Sequence, residues 1–319
     1  MTSNKLIVFD TTLRDGLKGA ALTAQNKLRI ARQLALMNVD VIEAGFPAAF
    51  PEDIETLKLL SREIRNCTLA GLARTTTGDI EKVAQALGKA QSPRIHIFVT
   101  TSKAKESDSS GGKKAEVVQT AVAAIRQALR YFSDVEFSPH DATRLDEDFL
   151  MDLCQAAGEA GATTINISDT LGYAVPDPFG RLIQKIKKRV ASSTVISVHC
   201  HNDLGLAVAN SLIAIQSGAR QVECTINGIG ERAGNAALEE IVMALKTRHD
   251  IFGIECGVDT TRIKEASDLV SALTGTPVPQ NKPIVGGRAL DYDSGIFRSG
   301  FSKDETYEMI KSKDINRKI

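Results

Sequence analysis

Short apolar runs rich in β-branched residues alternate eight times with longer stretches of helical period along this chain. The strand candidates are Leu6–Thr12, Val39–Phe46, Thr68–Arg74, Arg94–Thr101, Asp134–Ser138, Thr163–Ser168, Thr194–His201 and Gln221–Asn227. Helical patterns fill the intervals, among them Ala24–Met37, Pro51–Ile64 and Lys114–Tyr131, and Ala236–Lys246 follows the eighth strand. In the first of these, Leu28, Ile30, Ala31, Leu34, Ala35 and Met37 make one apolar stripe at helical spacing. Such alternation calls for a parallel sheet covered by helices. With eight strands the sheet can close, so the expected fold is α/β, a (β/α)8 TIM barrel over residues 1–252. From about Ile254 the rhythm stops. Thr274–Pro279, Gly286–Gly287 and Asp291–Ser294 read as a short loop-rich C-terminal appendage, residues 253–319, ending in a charged helix over Lys303–Ser312.

The polar residues separate a barrel from an open sheet. Asp10, Arg14, Asp15, Glu43, Arg74, His96, His140, Asp169, His199 and Asn235 fall at or just after the C-terminal ends of most strands. Loops from many strands converge in that way on a barrel mouth, whereas a doubly wound sheet gathers its site near one switch point. Composition adds exclusions. The 319 residues are 43% hydrophobic and 24% charged, ordinary for a soluble globular protein. Thirty-nine basic residues balance 39 acidic ones, so neither nucleic acid nor an anionic membrane is an expected partner. No apolar run reaches the roughly 18 residues of a membrane span, and the N-terminus enters a strand with no signal-peptide core. Five cysteines without paired spacing point to a reducing cytoplasm, and Cys200 and Cys224 read as packing residues.

The chemistry centres on His199-Cys200-His201. On a strand, side chains i and i+2 share a face, so both imidazoles look the same way and form a ready pair of metal ligands. Asp15, just past the first strand, supplies a hard oxygen to complement the two nitrogens. Such a set, with open positions, suits a divalent ion that polarises a carbonyl. The run Asn227–Asn235 (NGIGERAGN) follows the eighth strand. Its three glycines make it either a flexible surface loop or a loop that wraps the mouth, offering Asn235 as a further oxygen ligand and backbone amides to an anionic group.

The motifs DTTLRDG, VIEAGFP, GLAR, RIHIF, ISDTLGY, SVHCHNDLGLAVAN and NGIGERAGNAALEE, in that order, resemble the 2-isopropylmalate synthase family. Its relatives are the homocitrate and citramalate synthases and, more distantly, the hydroxymethylglutaryl-CoA lyases. The likeness covers roughly residues 5–250 and thins to scattered identities in NKPIVGGRALDYDSGI. It implies a divalent cation (Mg, Mn or Zn) held by Asp15, His199, His201 and Asn235. Arg14 would face the oxyanion of a 2-oxoacid carbonyl, Glu43 would hold Arg14, and Thr170 would meet the acceptor's carboxylate. Arg74 and His96 are further candidates for substrate contact, with a core or supporting position as the alternative for His96. The implied reaction is a Claisen-type condensation, in which an acetyl-CoA-derived enolate attacks the 2-oxoacid carbonyl to give a 2-alkylmalate-type product.

The departures from the family pattern sharpen these expectations. Where synthases read RDGEQ, the chain reads Arg14-Asp15-Gly16-Leu17-Lys18. His140 stands where they carry Glu near the fifth strand end. Tyr292 and Phe297 replace two histidines of the post-barrel segment, which the family ties to proton transfer. His140 reads as a general base with an ordinary pKa of about 6.5, as a cation for an extra carboxylate or phosphonate on the acceptor, or as a solvated loop residue. Lys18, Arg288 and Arg298 add positive charge, which favours an acceptor with a second anionic group. Because the chain ends at Ile319, neither the regulatory domain of leucine-pathway synthases nor leucine inhibition is expected. The expected protein is a cytoplasmic homodimer acting on a 2-oxoacid and an acyl-CoA. Its rivals are a metal-dependent lyase or aldolase and a barrel that binds without turnover.

Overall fold

A computed structural model describes residues 4–17, 22–102, 112–291 and 309–317. Eight parallel strands close on themselves: β1 Lys5–Asp10, β2 Val41–Glu43, β3 Thr68–Arg74, β4 Pro93–Val99, β5 Val135–Pro139, β6 Thr164–Asp169, β7 Val195–Cys200 and β8 Gln221–Cys224. Closure is direct, since β1 pairs with β2 (Phe9 opposite Val41) and with β8 (Phe9 opposite Glu223). The helices between and after the strands are α1 Ala24–Leu36, α2 Asp53–Glu63, α3 Thr77–Leu87, α4 Gly112–Ala128, α5 Glu147–Glu159, α6 Pro176–Arg189, α7 Ala207–Gln216 and α8 Leu238–Thr247. The expected (β/α)8 barrel is borne out, with strand ends shifted by a few residues.

Strand alternation divides two environments. Outward positions such as Ile95, Ile97, Val135, Phe137, Ile165, Ile167, Ile196, Val198 and Val222 are fully buried in one core shared with the helices. Each such side chain stabilises by roughly 2 kcal/mol. Cys200 and Cys224 belong to this outer core, on the opposite face from the histidines. The inward positions differ. Phe9, Val41 and Ala70 form a small apolar cluster on the β1–β3 side. The β4–β8 side is polar: Arg94 Nη1 donates to Glu136 Oε2 at 2.9 Å and to Gln221 Oε1 at 2.7 Å, and Gln221 Nε2 donates to Ser197 Oγ at 3.0 Å. A buried polar layer of this kind survives because its members satisfy one another.

Strands β1, β2, β4, β7 and β8 stop one to three residues before their apolar runs do, and β1 and β8 show why. β1 ends at Asp10 because that carboxylate accepts from Thr12 N and Thr12 Oγ1, both at 2.9 Å, turning the chain into a wide helical turn, Thr12–Gly16. β8 ends at Cys224, and the chain then bends through Asn227 in the left-handed region (φ 61°).

The appendage is more regular than its loop-rich composition implies. Strand β9, Glu255–Cys256, adds to the start of β1. Helix α9, Ile263–Thr274, buries Ile263, Ala266 and Val270 and stops at Gly275 (φ 70°), a left-handed glycine cap. Gln33 of α1 reaches α9 by donating to Glu265 Oε2 at 3.0 Å. The charged helix expected over Lys303–Ser312 lies mostly outside the described residues, and Ser312 opens a 3-10 turn to Ile315. No helix among the described residues is long and apolar enough to cross a membrane.

Candidate active site and metal centre

The turn Thr12–Gly16 places Arg14 and Asp15 over the barrel mouth, opposite His199 on β7 and His201 just beyond it. Asp15 Oδ2 lies 3.2 Å from His201 Nε2 and 3.8 Å from His199 Nε2. The ligand atoms of these three buried residues all fall within 4.8 Å of one another. Donors around 2.0–2.2 Å from one tetrahedral ion would be separated by about 3.3–3.6 Å, which the 3.2 and 3.8 Å separations from Asp15 Oδ2 bracket. His199 Nδ1 donates to Glu223 Oε2 at 2.6 Å, which turns Nε2 toward Asp15, the carboxylate-on-imidazole arrangement typical of metal-bound histidine. Asn235 joins through Nδ2, 2.8 Å from Asp15 Oδ2. Its Oδ1 is buried without a hydrogen bond among the described residues, as is His201 Nδ1. A half-turn of the Asn235 amide would exchange nitrogen for oxygen at Asp15. The mixed N/O set, its burial and these orphaned atoms all fit a divalent cation.

Electrostatics agree with that fit. Burial would raise the Asp15 pKa, but Arg14, then His201 and His199, hold it far below the carboxylate range. Burial lowers His201, keeping its imidazole neutral. His199 is raised against burial, chiefly by Glu223.

Arg14 is anchored rather than free. Its Nε donates to Glu43 Oε2 at 2.6 Å, its Nη1 is 3.2 Å from Asp15 Oδ1, and its Nη2 is 3.9 Å from Glu223 Oε2. Beneath it, His96 Nδ1 donates to Glu43 Oε1 and Nε2 meets Ser138 Oγ, each at 2.7 Å. Burial opposes the His96 imidazolium, yet Glu223 and Glu43 together push its pKa up to about 9. Glu43, His96 and Glu223 also lie close enough to be grouped as donors, but both His96 nitrogens are already engaged, so this second group is a charge network.

A cavity of about 360 Å³ opens beside these residues. Phe46, Phe50, Leu72 and Phe98 make one apolar wall, and Ser138, Asn166, Ser168 and Thr170 a polar one. His140 lies at the rim, its ring 6.3 Å from that of Phe98. Thr170 Oγ1 accepts from Asp141 N at 2.9 Å. The structure thus brings together Arg14, Asp15, Glu43, His96, His140, Thr170, His199, His201 and Asn235.

Arg74 does not join them. Its guanidinium is half-exposed and pairs with Asp79 of α3 at 2.5 Å, outside the lining of the cavity. The first turn of α3 presents the Asp79 carboxylate to both Nε and Nη2 of Arg74. Arg288 is exposed and likewise outside the lining. Lys18, Tyr292, Phe297 and Arg298 lie outside the described residues. Glu223 and Glu231, both lining the cavity, drew no notice in the sequence, although an acid between Val222 and Cys224 on a buried strand is itself a signal.

Fold and site define a (β/α)8 barrel with a candidate divalent-metal centre at its C-terminal mouth. The chain belongs to the HMGL-like family, whose profile matches residues 5–270. It is 52% identical over 317 residues to a 2-isopropylmalate synthase of Methylococcus capsulatus, covering 98% of this chain and 62% of that protein. It is 50% identical over 320 residues to a 2-isopropylmalate synthase of Neisseria meningitidis serogroup A, with the same coverage. The chain therefore spans less than two thirds of these curated relatives. Among solved structures, an HMG-CoA lyase from Acinetobacter baumannii in complex with coenzyme A and 3-methylmalate shares the fold, with a TM-score of 0.72 and 20% identity, over 95% of this chain and 98% of that one. The resemblance read from the motifs is borne out.

Proposed function

We propose that this chain condenses an acyl-CoA, acetyl-CoA, with a 2-oxoacid through a new carbon–carbon bond, and that water then cleaves the thioester to give a 2-alkylmalate-type product and the free coenzyme A thiol. The observation that carries the reading is the gathering of Asp15, His199 and His201 donor atoms within 4.8 Å beside an anchored Arg14. Asp15, His199, His201 and Asn235 would hold a divalent cation there, and it would supply Lewis-acid polarisation to the acceptor's carbonyl. Arg14, fixed through Nε by Glu43, turns its remaining donors to the place where negative charge develops; donors fixed in advance are worth most in a site that excludes water. Thr170 uses Oγ1 to accept from Asp141, which leaves its O–H to donate to the acceptor's carboxylate. Phe46, Leu72 and Phe98 keep water from the acceptor's side chain.

His140 supports the finer reading that the acceptor carries a second anionic group, because it puts an imidazole at the rim. Five free cysteines, none in a disulfide, support a reducing cytoplasm as the place of action, and the same reading takes a homodimer as the working unit.

Thiol release from acetyl-CoA, measured with and without divalent ion across 2-oxoisovalerate, 2-oxoglutarate and a phosphonate-bearing oxoacid, tests the proposal. Release requiring both an oxoacid and the ion is expected. No release with any acceptor would overturn the condensation. Preference for 2-oxoisovalerate, unaffected by His140→Ala, would overturn the anionic acceptor alone.

A further inference from the structure

The chain beyond the barrel reaches the Asn227–Asn235 loop from behind, at the end away from the cavity. Asn227 Nδ2 donates to the Ser267 carbonyl of α9 at 3.2 Å, and Ser267 Oγ donates back to Asn227 Oδ1 at 2.6 Å. The Asn227 backbone N–H donates to Glu239 Oε2, in the first turn of α8, at 3.0 Å. Lys282 sits over this carboxylate: its Nζ donates to Glu240 Oε1 at 2.6 Å and lies 3.9 Å from Glu239 Oε1. That last oxygen is buried and has no hydrogen bond among the described residues, so the Lys282 charge is what compensates it. Burial pushes the Glu239 carboxyl up to about 7, and Lys282 is the largest influence in the other direction.

The pinned end is tied to the far end of the loop. Asn235 N donates to the Gly228 carbonyl at 2.9 Å, and Gly228 itself sits at φ 66°. Glu231 and Asn235, the loop residues that face the cavity and Asp15, therefore lie within one closed ring of chain. Three glycines make that ring entropically costly to order, and contacts at its base offset the cost.

We propose that Ser267 and Lys282 are positioning residues: they latch the Asn227 end of the loop and thereby fix Glu231 and Asn235 over the cavity. The post-barrel segment is then part of the machinery of the site rather than a passive tail. The consequence for metal rests on the proposed role of Asn235. The latch itself does not.

The test compares wild type, Ser267→Ala, Lys282→Met and the double variant Lys282→Met/Glu239→Gln. Hydrogen exchange is followed on peptides spanning 226–235, and Zn or Mn affinity is measured by competition with a chromophoric chelator. Both single variants should exchange the loop amides about tenfold faster or more, with the barrel strands unchanged, and should bind metal about tenfold more weakly. Glu239→Gln should restore both readouts in the Lys282→Met background at pH 8 and above, because a carboxyl already at about 7 takes up a proton when Lys282 is lost, whereas the amide keeps an acceptor for Asn227 N with no charge to bury at any pH. Ser267→Ala deletes one hydroxyl and keeps the test open if Lys282→Met does not fold. Wild-type loop exchange in the single variants would overturn the latch. Faster exchange with unchanged metal affinity would overturn its link to Asn235. A wild-type protein that binds no metal would sink the metal reading, and the exchange rates would still decide the latch.

Discussion

Glu43→Gln perturbs the charge network under the cavity at its most connected point. The carboxylate receives Thr11 Oγ1 at 2.8 Å and Arg14 Nε at 2.6 Å on one oxygen, and His96 Nδ1 at 2.7 Å on the other. A carboxamide has the same shape but a single acceptor oxygen. That oxygen can serve Thr11 and Arg14 only if the –NH2 turns to His96, whose Nδ1 must then give up its proton. In the native protein Glu43, against the pull of burial, is lowered to about 2 by Arg14 and His96, while His96 is raised to about 9. Each of these displacements corresponds to ~3 kcal/mol. Arg14 leads in lowering Glu43 and Glu223 leads in raising His96, so only the Glu43 shift is counted and the expected loss is ~3 kcal/mol, at the lower edge of the cost of removing a partner from a buried ion pair. The raised His96 pKa contributes stability that is complete below its unfolded value of 6.5 and lost as pH rises through about 9. The lowered Glu43 pKa contributes stability present above 4.5 and lost as pH falls through about 2. The gap between wild type and variant should therefore be widest between about pH 4.5 and 6.5 and should narrow at either extreme. Urea unfolding at several pH values measures the gap, and imidazole NMR reads the His96 proton. A gap under about 1 kcal/mol at pH 6, or a His96 that titrates alike in both proteins, would show that Glu43 does not anchor this network.

His199→Ala should abolish bound divalent ion while leaving the circular dichroism of the barrel intact, because the ring faces the cavity rather than the outer core. Metal analysis that finds a loaded variant would remove His199 from the ligand set. Gly230→Ala should weaken metal binding about tenfold with little change in melting temperature, because a Cβ there overlaps the Asn235 side-chain amide. Unchanged affinity would show that Asn235 does not belong at the ion.

Much of this protein is legible in the chain because it depends on local periods. The i,i+2 relation of His199 and His201 requires only that they sit on extended chain, and the Leu28–Met37 stripe requires only a helix. Eight such alternations leave few folds open, and the barrel followed. Other features depend on which distant residues closure brings together. His201 meets Asp15 across 186 residues and Arg94 meets Gln221 across 127, and no local pattern encodes either distance. Closure decided that Arg94, His96, Glu136 and Glu223 face inward as one polar network, in which Glu223 Oε1 alone has no hydrogen bond among the described residues. It also made Glu223 the partner of His199, and the docking of α3 gave Arg74 to Asp79 instead of the site. Helix α9 lies beyond the eight alternations that identify the barrel, and its buried Ile263, Ala266 and Val270 gain their meaning from docking on α1 and on the turn after β8. Period and residue chemistry are properties of a segment and are readable from it. A partner, a buried charge and its pKa belong to the surroundings, and only the folded chain supplies those.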